Sequence, residues 1–233
     1  MSKKSKRYSA ALDKVKEKKE YTLSEAVKLV KENATAKFDE SIEIAFKLGI
    51  DPKQSDQLVR STVKLPHGTG KNIKVIAFAE GAAADEAKAA GADEVGMAEL
   101  ADRIAKGWFD FDVIVAVPAS MKVIGKLGRV LGPKGLMPSP KAGTVSKDIG
   151  YAIKEVKAGK IEIKADKTAN LHAFVGKASF DEGQIVDNAR AVINAIVKAK
   201  PAAAKGVYIR NVILASTMGP GLGLDMKEIY TGQ

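Results

Sequence analysis

Cysteine is absent from this 233-residue sequence. Disulfide bonds and thiolate metal sites are therefore excluded, which suits a reducing compartment. Histidine is nearly absent too, because His67 and His172 are the only two, too few for most histidine-based metal sites. We expect a protein that carries no metal ion and no cofactor.

Long apolar runs are also missing. No stretch approaches the roughly 20 residues that a helix needs to cross a bilayer, and the N-terminal MSKKSKRYSA lacks the apolar core of a secretory signal. Hydrophobic residues nevertheless make up 45% of the chain, enough to bury a substantial core. The sequence thus predicts a cytoplasmic protein that does not associate with a membrane.

Acidic residues are missing from three long segments, residues 57–79, 113–147 and 188–224, although the chain contains 28 acids. Residues 80–112 reverse this balance, with nine acids against three bases. With 38 Lys and Arg residues the net charge is +10. The basic runs are either scattered solvated lysines or parts of one surface, and their length favours a surface for a polyanionic partner.

The two ends of the chain show strand-like alternation of apolar and polar residues. In FDESIEIAFKL (38–48), Phe38, Ile42, Ile44, Phe46 and Leu48 share one face, which indicates a half-buried strand. Similar strands are predicted at QLVRSTVKL, KIEIKAD, LHAFVGK and GVYIRNVILAS. Helices are predicted after capping boxes at Thr22–Glu25 and Ser179–Glu182.

The middle of the chain has a different pattern. IKVIAFA and DVIVAV are apolar nearly throughout, as in strands buried on both faces, and helical segments alternate with them. This order predicts parallel crossovers and a small three-layer α/β domain.

The fold class is therefore α/β in two parts. Residues 1–66 and 160–233 form a split α+β domain with an antiparallel-type sheet, because neither half has enough strands alone. Residues 67–159 form an inserted, Rossmann-like domain with a parallel sheet.

Three glycine-rich motifs invite a nucleotide-binding interpretation, and none fits it. HGTGK (67–71) lacks the spacing of a Walker loop. GPGLG (219–223) follows what we take as the final strand, with no helix after it. LGPKGLMPSPKAGT (131–144) has prolines where phosphate-cradling amides are needed.

An enzyme is disfavoured, because no Ser/His/Asp constellation or metal-ligand spacing occurs. A nucleotide-dependent enzyme that uses the parallel sheet and HGTGK stays as an alternative, and so does generic DNA binding through charge. One tryptophan and 6% aromatics argue against a stacking platform for single strands. Folded RNA recognised by shape, sugars and phosphates fits better.

Several segments together resemble one family. They are ATAKFDESIEIAFKLGIDPKQSDQLVR, LPHGTGK, FDVIVAVP, GKLGRVLGPKGLMPSPKAGTV, KAGKIEIKADK, GKASF and TMGPG. In order and spacing, over nearly the whole chain, they resemble the bacterial L-one family of large-subunit ribosomal proteins. The resemblance implies a split RNA-binding domain around an α/β insert.

The resemblance also implies partners. These are the 23S rRNA stalk beside the exit site, the deacylated tRNA that leaves there, and the protein's own operon mRNA, whose translation it would repress. The chain would be part of the 50S subunit and a monomer when unbound.

Site residues follow from the same resemblance. The implied RNA contacts are Lys37, Phe38, Ser41, Glu43, Lys167, His172, Thr217, Met218 and Gly219. A carboxylate such as Glu43 can accept from a 2′-hydroxyl or a base amine. From the acid-free run we add Arg129, Lys134 and Lys141 as secondary contacts to the RNA backbone, and we interpret residues 131–144 as a rigid basic loop.

Overall fold

The computed structural model of the protein describes residues 5–15 and 20–231. The chain separates into two compact units. The split unit is Met1–Gly70 with Ile161–Gln233, and the inserted unit is Lys71–Lys160. Within the described ranges no helix is long and apolar enough to cross a membrane.

The split unit contains five helices or helical segments and six strands among its described residues. They are α1 (Lys6–Val15), α2 (Leu23–Asn33), β1 (Ser41–Leu48), β2 (Arg60–Lys64), β6 (Lys160–Lys164), β7 (Asn170–Lys177), α8 (Glu182–Lys198), β8 (Ile209–Ser216), β9 (Leu222–Gly223), α9 (Met226–Thr231) and a 3-10 turn at Ser55–Gln57. Helix α1 lies in a segment for which the sequence analysis made no prediction.

The main sheet of the split unit has the order β7-β1-β8-β9. Strand β1 is central and pairs antiparallel with both β7 and β8. The predicted alternation is confirmed along it, because Ile42, Ile44, Phe46 and Leu48 are buried and pack with residues of α2 and α8. Strands β2 and β6 form a separate two-stranded sheet.

Phe38 is the exception to this alternation. The sequence placed it on the inward face of the strand, but β1 begins only at Ser41 and the ring of Phe38 is 54% exposed. The chain bends at residues 36–38, so strand parity does not extend to this position. The prediction that Phe38 shares a face with Ile42 and Ile44 was wrong.

The caps of the two main helices of this unit can be compared directly. Thr22 and Glu25 form the predicted capping box of α2. Helix α8 begins differently, because Asp181 is its N-cap and Gln184 closes the box. Ser179 instead donates its backbone amide and its hydroxyl to the carboxylate of Asp39, so the predicted Ser179–Glu182 box was wrong.

The C-terminal segment also differs from expectation. After β8 the chain adds strand β9, which pairs antiparallel with β8, and then helix α9. GPGLG therefore does not follow the final strand, and a helix does come after it. The antiparallel pairing still excludes the parallel strand-helix-strand unit that a dinucleotide fingerprint requires.

The inserted unit is the predicted three-layer α/β arrangement. Its described strands and α-helices are β3 (Val75–Phe78), α3 (Ala82–Ala89), β4 (Glu94–Gly96), α4 (Ala98–Ala105), β5 (Val113–Ala116), α5 (Met121–Ile124), α6 (Gly128–Leu131) and α7 (Ile149–Lys157), and 3-10 turns lie at Pro118–Ser120, Gly125–Leu127 and Pro140–Ala142. The strand order is β4-β3-β5, and both pairings are parallel.

Strand β3 shows why this sheet is apolar throughout. Ile76 and Phe78 pack in one core with α4, whereas Val75 and Ala77 pack in a second core with α7. Because helices cover both faces of the sheet, every residue of β3 is buried.

Candidate nucleic-acid interface

The four-stranded sheet of the split unit leaves one of its faces exposed. Helices α2 and α8 pack on the other face, so the alternate residues of each strand that point away from them remain accessible. We call this side the open face. It is formed by Ser41, Glu43, Ala45 and Lys47 of β1, Asn170, His172 and Phe174 of β7, and Asn211, Ile213 and Ala215 of β8.

At one end of β1, which we call the Ser41 end, two hydrogen bonds from backbone amides fasten the loop after β8 to the strand. The amide of Thr217 donates to the carbonyl of Ser41 at 3.0 Å. The amide of Ser41 donates to Thr217 Oγ1, also at 3.0 Å. The hydroxyl of Thr217 in turn lies 3.2 Å from the Ser41 carbonyl, so this side chain is committed to the protein itself.

A buried carboxylate joins the two halves of this end. Glu40 is only 1% exposed, and its Oε2 accepts from the amide of Met218 at 3.0 Å. Its Oε1 accepts from the amide of Ala36 at 3.1 Å. The segment that contains Lys37 and Phe38 is therefore tied to the loop that contains Met218.

The charge on Glu40 is maintained by these hydrogen bonds. Burial by itself would raise the pKa of the Glu40 carboxyl group, but the amides of Met218 and Ala36 stabilise the charged form, and the pKa lies below its usual value. At neutral pH the group is an anion that accepts from both segments.

The side chains around this anchor point outward. Phe38 is 54% and Met218 is 48% exposed, and Lys37 and Thr217 are exposed as well. Gly219 is needed for close approach, since a Cβ atom there would lie 2.5 Å from the hydroxyl of Ser216. The Ser41 end thus presents a lysine, an aromatic ring and a flexible apolar side chain on a fixed backbone.

Lys177 and Asp39 complete the Ser41 end. Lys177 Nζ donates to Ser41 Oγ at 3.1 Å and to the carbonyl of Asp39 at 3.3 Å. The Asp39 carboxylate accepts from Ser179 at the same end. One cation that sequence reasoning missed therefore lies beside Ser41, because strand pairing puts Lys177 opposite it.

Glu43 and His172 occupy the middle of the open face. Glu43 lies opposite Phe174, and His172 lies opposite Ala45, two residues further along β1. Both side chains are exposed. The structure therefore places these two predicted residues near the Ser41 end but does not bring them into its hydrogen-bonded core.

Lys167 is separated from the others. It is exposed in the turn at residues 166–169, which adjoins the opposite end of β1. At about 3.3 Å per residue, six residues of strand put this end about 20 Å from Ser41. The nine predicted contacts thus fall into six residues at the Ser41 end, two in the middle of the open face and one lysine at the other end.

The secondary candidates lie in the inserted unit. Arg129, Lys134 and Lys141 are all exposed. Arg129 lies in α6, and the loop that contains the two lysines is fastened at its end, where Thr144 Oγ1 accepts from the amide of Ser139 at 2.8 Å and the Thr144 carbonyl accepts from β5. Lys134 Nζ lies 4.2 Å from the ring centroid of Phe109, so part of its charge interacts with the aromatic ring.

The HGTGK loop has a structural explanation. The side chain of Asn188, which is fully buried, accepts from the amide of His67 and donates to the carbonyls of Gly68 and Val175. A Cβ atom at Gly70 would lie 2.6 Å from the ring of Phe180. The glycine therefore serves close packing of the loop in the split unit.

Glu40 is a second functional residue that sequence reasoning missed. A signal was available, because the parity of FDESIEIAFKL puts position 40 on the inward face with Ile42 and Ile44. A carboxylate on the inward face means either that the strand register has been assigned wrongly or that the carboxylate is buried and held by hydrogen bonds. Its partners, the amides of residues 36 and 218, could not be read from the sequence.

Comparisons with known proteins agree with the resemblance to a family of large-subunit ribosomal proteins. The model of the Ribosomal protein L1p/L10e family matches residues 30–220. Large ribosomal subunit protein uL1 of Salinispora tropica is 54% identical over 225 residues, covering 97% of this chain and 94% of that protein. The protein of the same name from Kosmotoga olearia is 56% identical over 229 residues, covering 98% and 99%.

The chain belongs to the ribosomal protein L1p/L10e family. The resemblance deduced from its motifs is confirmed, and so is the prediction that it is not an enzyme, since the family is one of ribosomal proteins. Within residues 5–15 and 20–231 no group of three His, Asp or Glu residues could hold a metal ion. For this member of the L1p/L10e family, the open face is the strongest candidate interface.

Proposed function

We propose that this protein is a component of the cytoplasmic 50S ribosomal subunit that binds the 23S rRNA stalk at the exit site. The split unit is the RNA-binding domain in this proposal. The contacts are the nine residues predicted above, and Arg129, Lys134 and Lys141 of the inserted unit add contacts to the RNA backbone. The names of the relatives support membership of the large subunit.

The observation that carries the proposal is the construction of the Ser41 end. A buried anion ties the segment at 36–38 to the loop at 216–221, and Lys37, Phe38 and Met218 are exposed on these two segments. A rigid backbone that presents Lys37, Phe38 and Met218 fits a folded RNA, which is recognised by shape, sugars and phosphates. The net charge of +10 adds favourable long-range attraction.

Two further roles belong to the same proposal. Deacylated tRNA would be released from the exit site with the help of this protein on its stalk. The operon mRNA would bind at the same open face by imitating the rRNA site, so that unassembled protein represses its own translation. Repression requires only the surface that binds the rRNA, and the protein binds as a monomer.

Sequencing of RNA crosslinked to the protein in cells tests the proposal most directly. We expect reads concentrated in the 23S rRNA stalk, with a minor peak in the mRNA of the protein's own operon. Crosslinks spread evenly over cellular RNA would contradict specific binding. The enzyme alternative requires micromolar affinity for ATP, GTP or NAD together with turnover, which equilibrium binding and a product assay would detect.

A further inference from the structure

A row of polar side chains crosses the open face at its other end, which we call the Leu48 end. Asn170 of β7 lies opposite Lys47 of β1, and Lys47 lies opposite Asn211 of β8. Residues directly opposite on neighbouring strands have Cβ atoms about 5 Å apart. Three side chains with hydrogen-bond donors therefore stand next to one another across three strands.

Arg210 precedes Asn211 at the edge of this row, and its side chain lines a cavity with Gly49, Asp51 and Lys205. The register changes between Lys47 and Leu48, which pair with Asn211 and Ile209, so Arg210 is the extra residue of a β-bulge. A bulge re-aims a side chain that regular pairing would direct elsewhere. As a result Arg210 and Asn211 are both exposed although they are consecutive.

The turn that contains Lys167 is fixed beside the row. Lys47 Nζ donates to the carbonyl of Thr168 at 2.7 Å, and Asn170 Nδ2 donates to Thr168 Oγ1 at 2.9 Å. Both bonds leave hydrogen-bonding capacity, because an ammonium group has three donors and an amide has an acceptor oxygen as well. The side chains of Lys47 and Asn170 are therefore held in place and still have hydrogen-bonding groups available for a ligand.

The acids near this end do not cancel its charge. The carboxylate of Asp166 accepts from the backbone amides of Asn170 and Thr168, and these bonds hold its pKa below the usual value. Asp51 lines an open cavity of about 500 Å³ together with Lys205 and Arg210. With Lys47 and Lys167 this end has four cations. They outnumber the two carboxylates, those of Asp51 and Asp166.

We propose that the Leu48 end of the open face is a second contact surface for the RNA sugar–phosphate backbone, formed by Lys47, Asn170, Asn211 and Arg210. The inference rests on the proposed function, because it extends the bound RNA from the Ser41 end across the sheet. The cations take phosphates, and the two amides take phosphate or 2′-hydroxyl groups. One RNA then spans about 20 Å of the face.

The test compares two pairs of charge-removing substitutions in the full chain, Lys47→Gln with Arg210→Gln and Lys28→Gln with Arg190→Gln. The control pair removes the same charge from exposed positions of α2 and α8, the helices on the opposite side of the sheet. Binding of a 23S rRNA stalk hairpin is measured at several salt concentrations. Each phosphate that the protein no longer neutralises should lower the magnitude of the salt slope by about 0.7–0.9.

We expect the Lys47/Arg210 variant to flatten the slope and the control variant to keep the slope of the unmodified protein. Asn211→Ala should weaken binding roughly two- to tenfold, the range for one neutral hydrogen bond, with the slope unchanged. If the Lys47/Arg210 variant and the control variant have equal slopes while the unmodified protein still binds the hairpin, the inference is overturned. If the unmodified protein does not prefer the hairpin to duplex DNA of equal length, the proposed function itself fails.

A protein partner is the competing use of this surface. An acidic protein segment could pair with Lys47 and Arg210, and then their substitution would leave the RNA slope unchanged but release a protein from purified large subunits. That outcome would also overturn the inference.

Discussion

Two loops of this protein share glycine, proline and methionine but differ in construction. The loop at residues 216–221 reads STMGPG, and the loop at residues 131–144 reads LGPKGLMPSPKAGT. The first is tied to another strand and to a buried carboxylate, and it leaves Met218 exposed. The second is closed through Thr144, which bonds to Ser139 and to strand β5 of its own unit, and it turns one lysine onto Phe109.

The difference shows that glycine, proline and methionine do not by themselves define an interface. The two loops differ in the partners of their backbone hydrogen bonds. The backbone of the loop at 216–221 is bonded to Ser41 and Glu40, and this leaves the side chain of Met218 exposed. By this criterion the loop at 216–221 is the better candidate for a primary contact, and the loop at 131–144 for a secondary one.

Removing the buried charge of Glu40 should have the largest effect on RNA binding at the loop at 216–221. In Glu40→Gln the new amide can accept from only one of the two backbone amides, and its NH₂ group faces the other. An unsatisfied buried donor costs about 1–3 kcal/mol. We therefore expect a roughly tenfold or greater loss of affinity for the stalk hairpin, because the segment at 36–38 separates from the loop at 216–221. Circular dichroism and urea unfolding should show a chain that is still folded.

Glu162→Gln is the matched control for that change. Glu162 pairs with Arg60 at an exposed position of the same unit, and such a pair contributes about 0–1 kcal/mol. Equal losses of RNA affinity in the two variants would show that the carboxylate of Glu40 has no special role in positioning.

Met218 and Thr217 should separate contact from positioning. Met218→Asp places a carboxylate where RNA is expected and removes no hydrogen bond of the protein, so binding should fall severely while the free energy of unfolding changes by less than about 0.5 kcal/mol. Thr217→Val removes the hydroxyl that accepts from Ser41, so it should lower both affinity and stability, by about 1–3 kcal/mol in stability. Titration with the hairpin and urea unfolding of each variant measure the two quantities. A loss of affinity below threefold in both would contradict the loop as the contact centre.

A pH dependence follows from the depressed pKa of Glu40. Its contribution to stability is complete above the ordinary glutamate pKa of 4.5 and is lost as the pH falls through the lower value in the folded protein. The difference in unfolding free energy between the unmodified protein and Glu40→Gln should therefore shrink only below about pH 4.5. A constant difference between pH 7 and pH 3 would mean that the carboxylate does not stabilise the fold as an anion.

Much of this architecture could be predicted because it depends on local patterns. Alternation located β1, and continuous apolar runs located β3 and β5, since burial on one face or both leaves those signatures. Asp181 was missed as the cap of α8 because Ser179 offered an equally good local pattern. What decided between them was a partner 140 residues away in sequence, Asp39.

The interface was predictable only in part for the same reason. The family resemblance supplied the residues, but their grouping depends on register, which placed Lys167 at the end of the sheet opposite Thr217. Glu40 and Lys177 contact the site through partners more than 130 residues away. Such pairings cannot be derived from spacing along one chain.

The smallest expected effect concerns the loop at 131–144, and the structure divides its two lysines. Lys141 is exposed in the short 3-10 turn Pro140–Ala142, so Lys141→Gln should lower the salt slope on assembled large subunits by about 0.7–0.9 if it contacts a phosphate. Lys134→Gln should lower the slope in the same way if Lys134 contacts a phosphate, and it should also destabilise the protein by about 0.5–1 kcal/mol, because it removes the interaction with the Phe109 ring.

Lys88→Gln with Lys106→Gln is the control for this last prediction. Both lysines lie within the acid-rich residues 80–112, where a phosphate backbone would be repelled, and both are exposed. This pair should leave the slope unchanged. If Lys141→Gln also leaves it unchanged, the acid-free run at 113–147 is a solvated surface, and the contrast between the two loops becomes absolute, with one binding RNA and the other only closing its own unit.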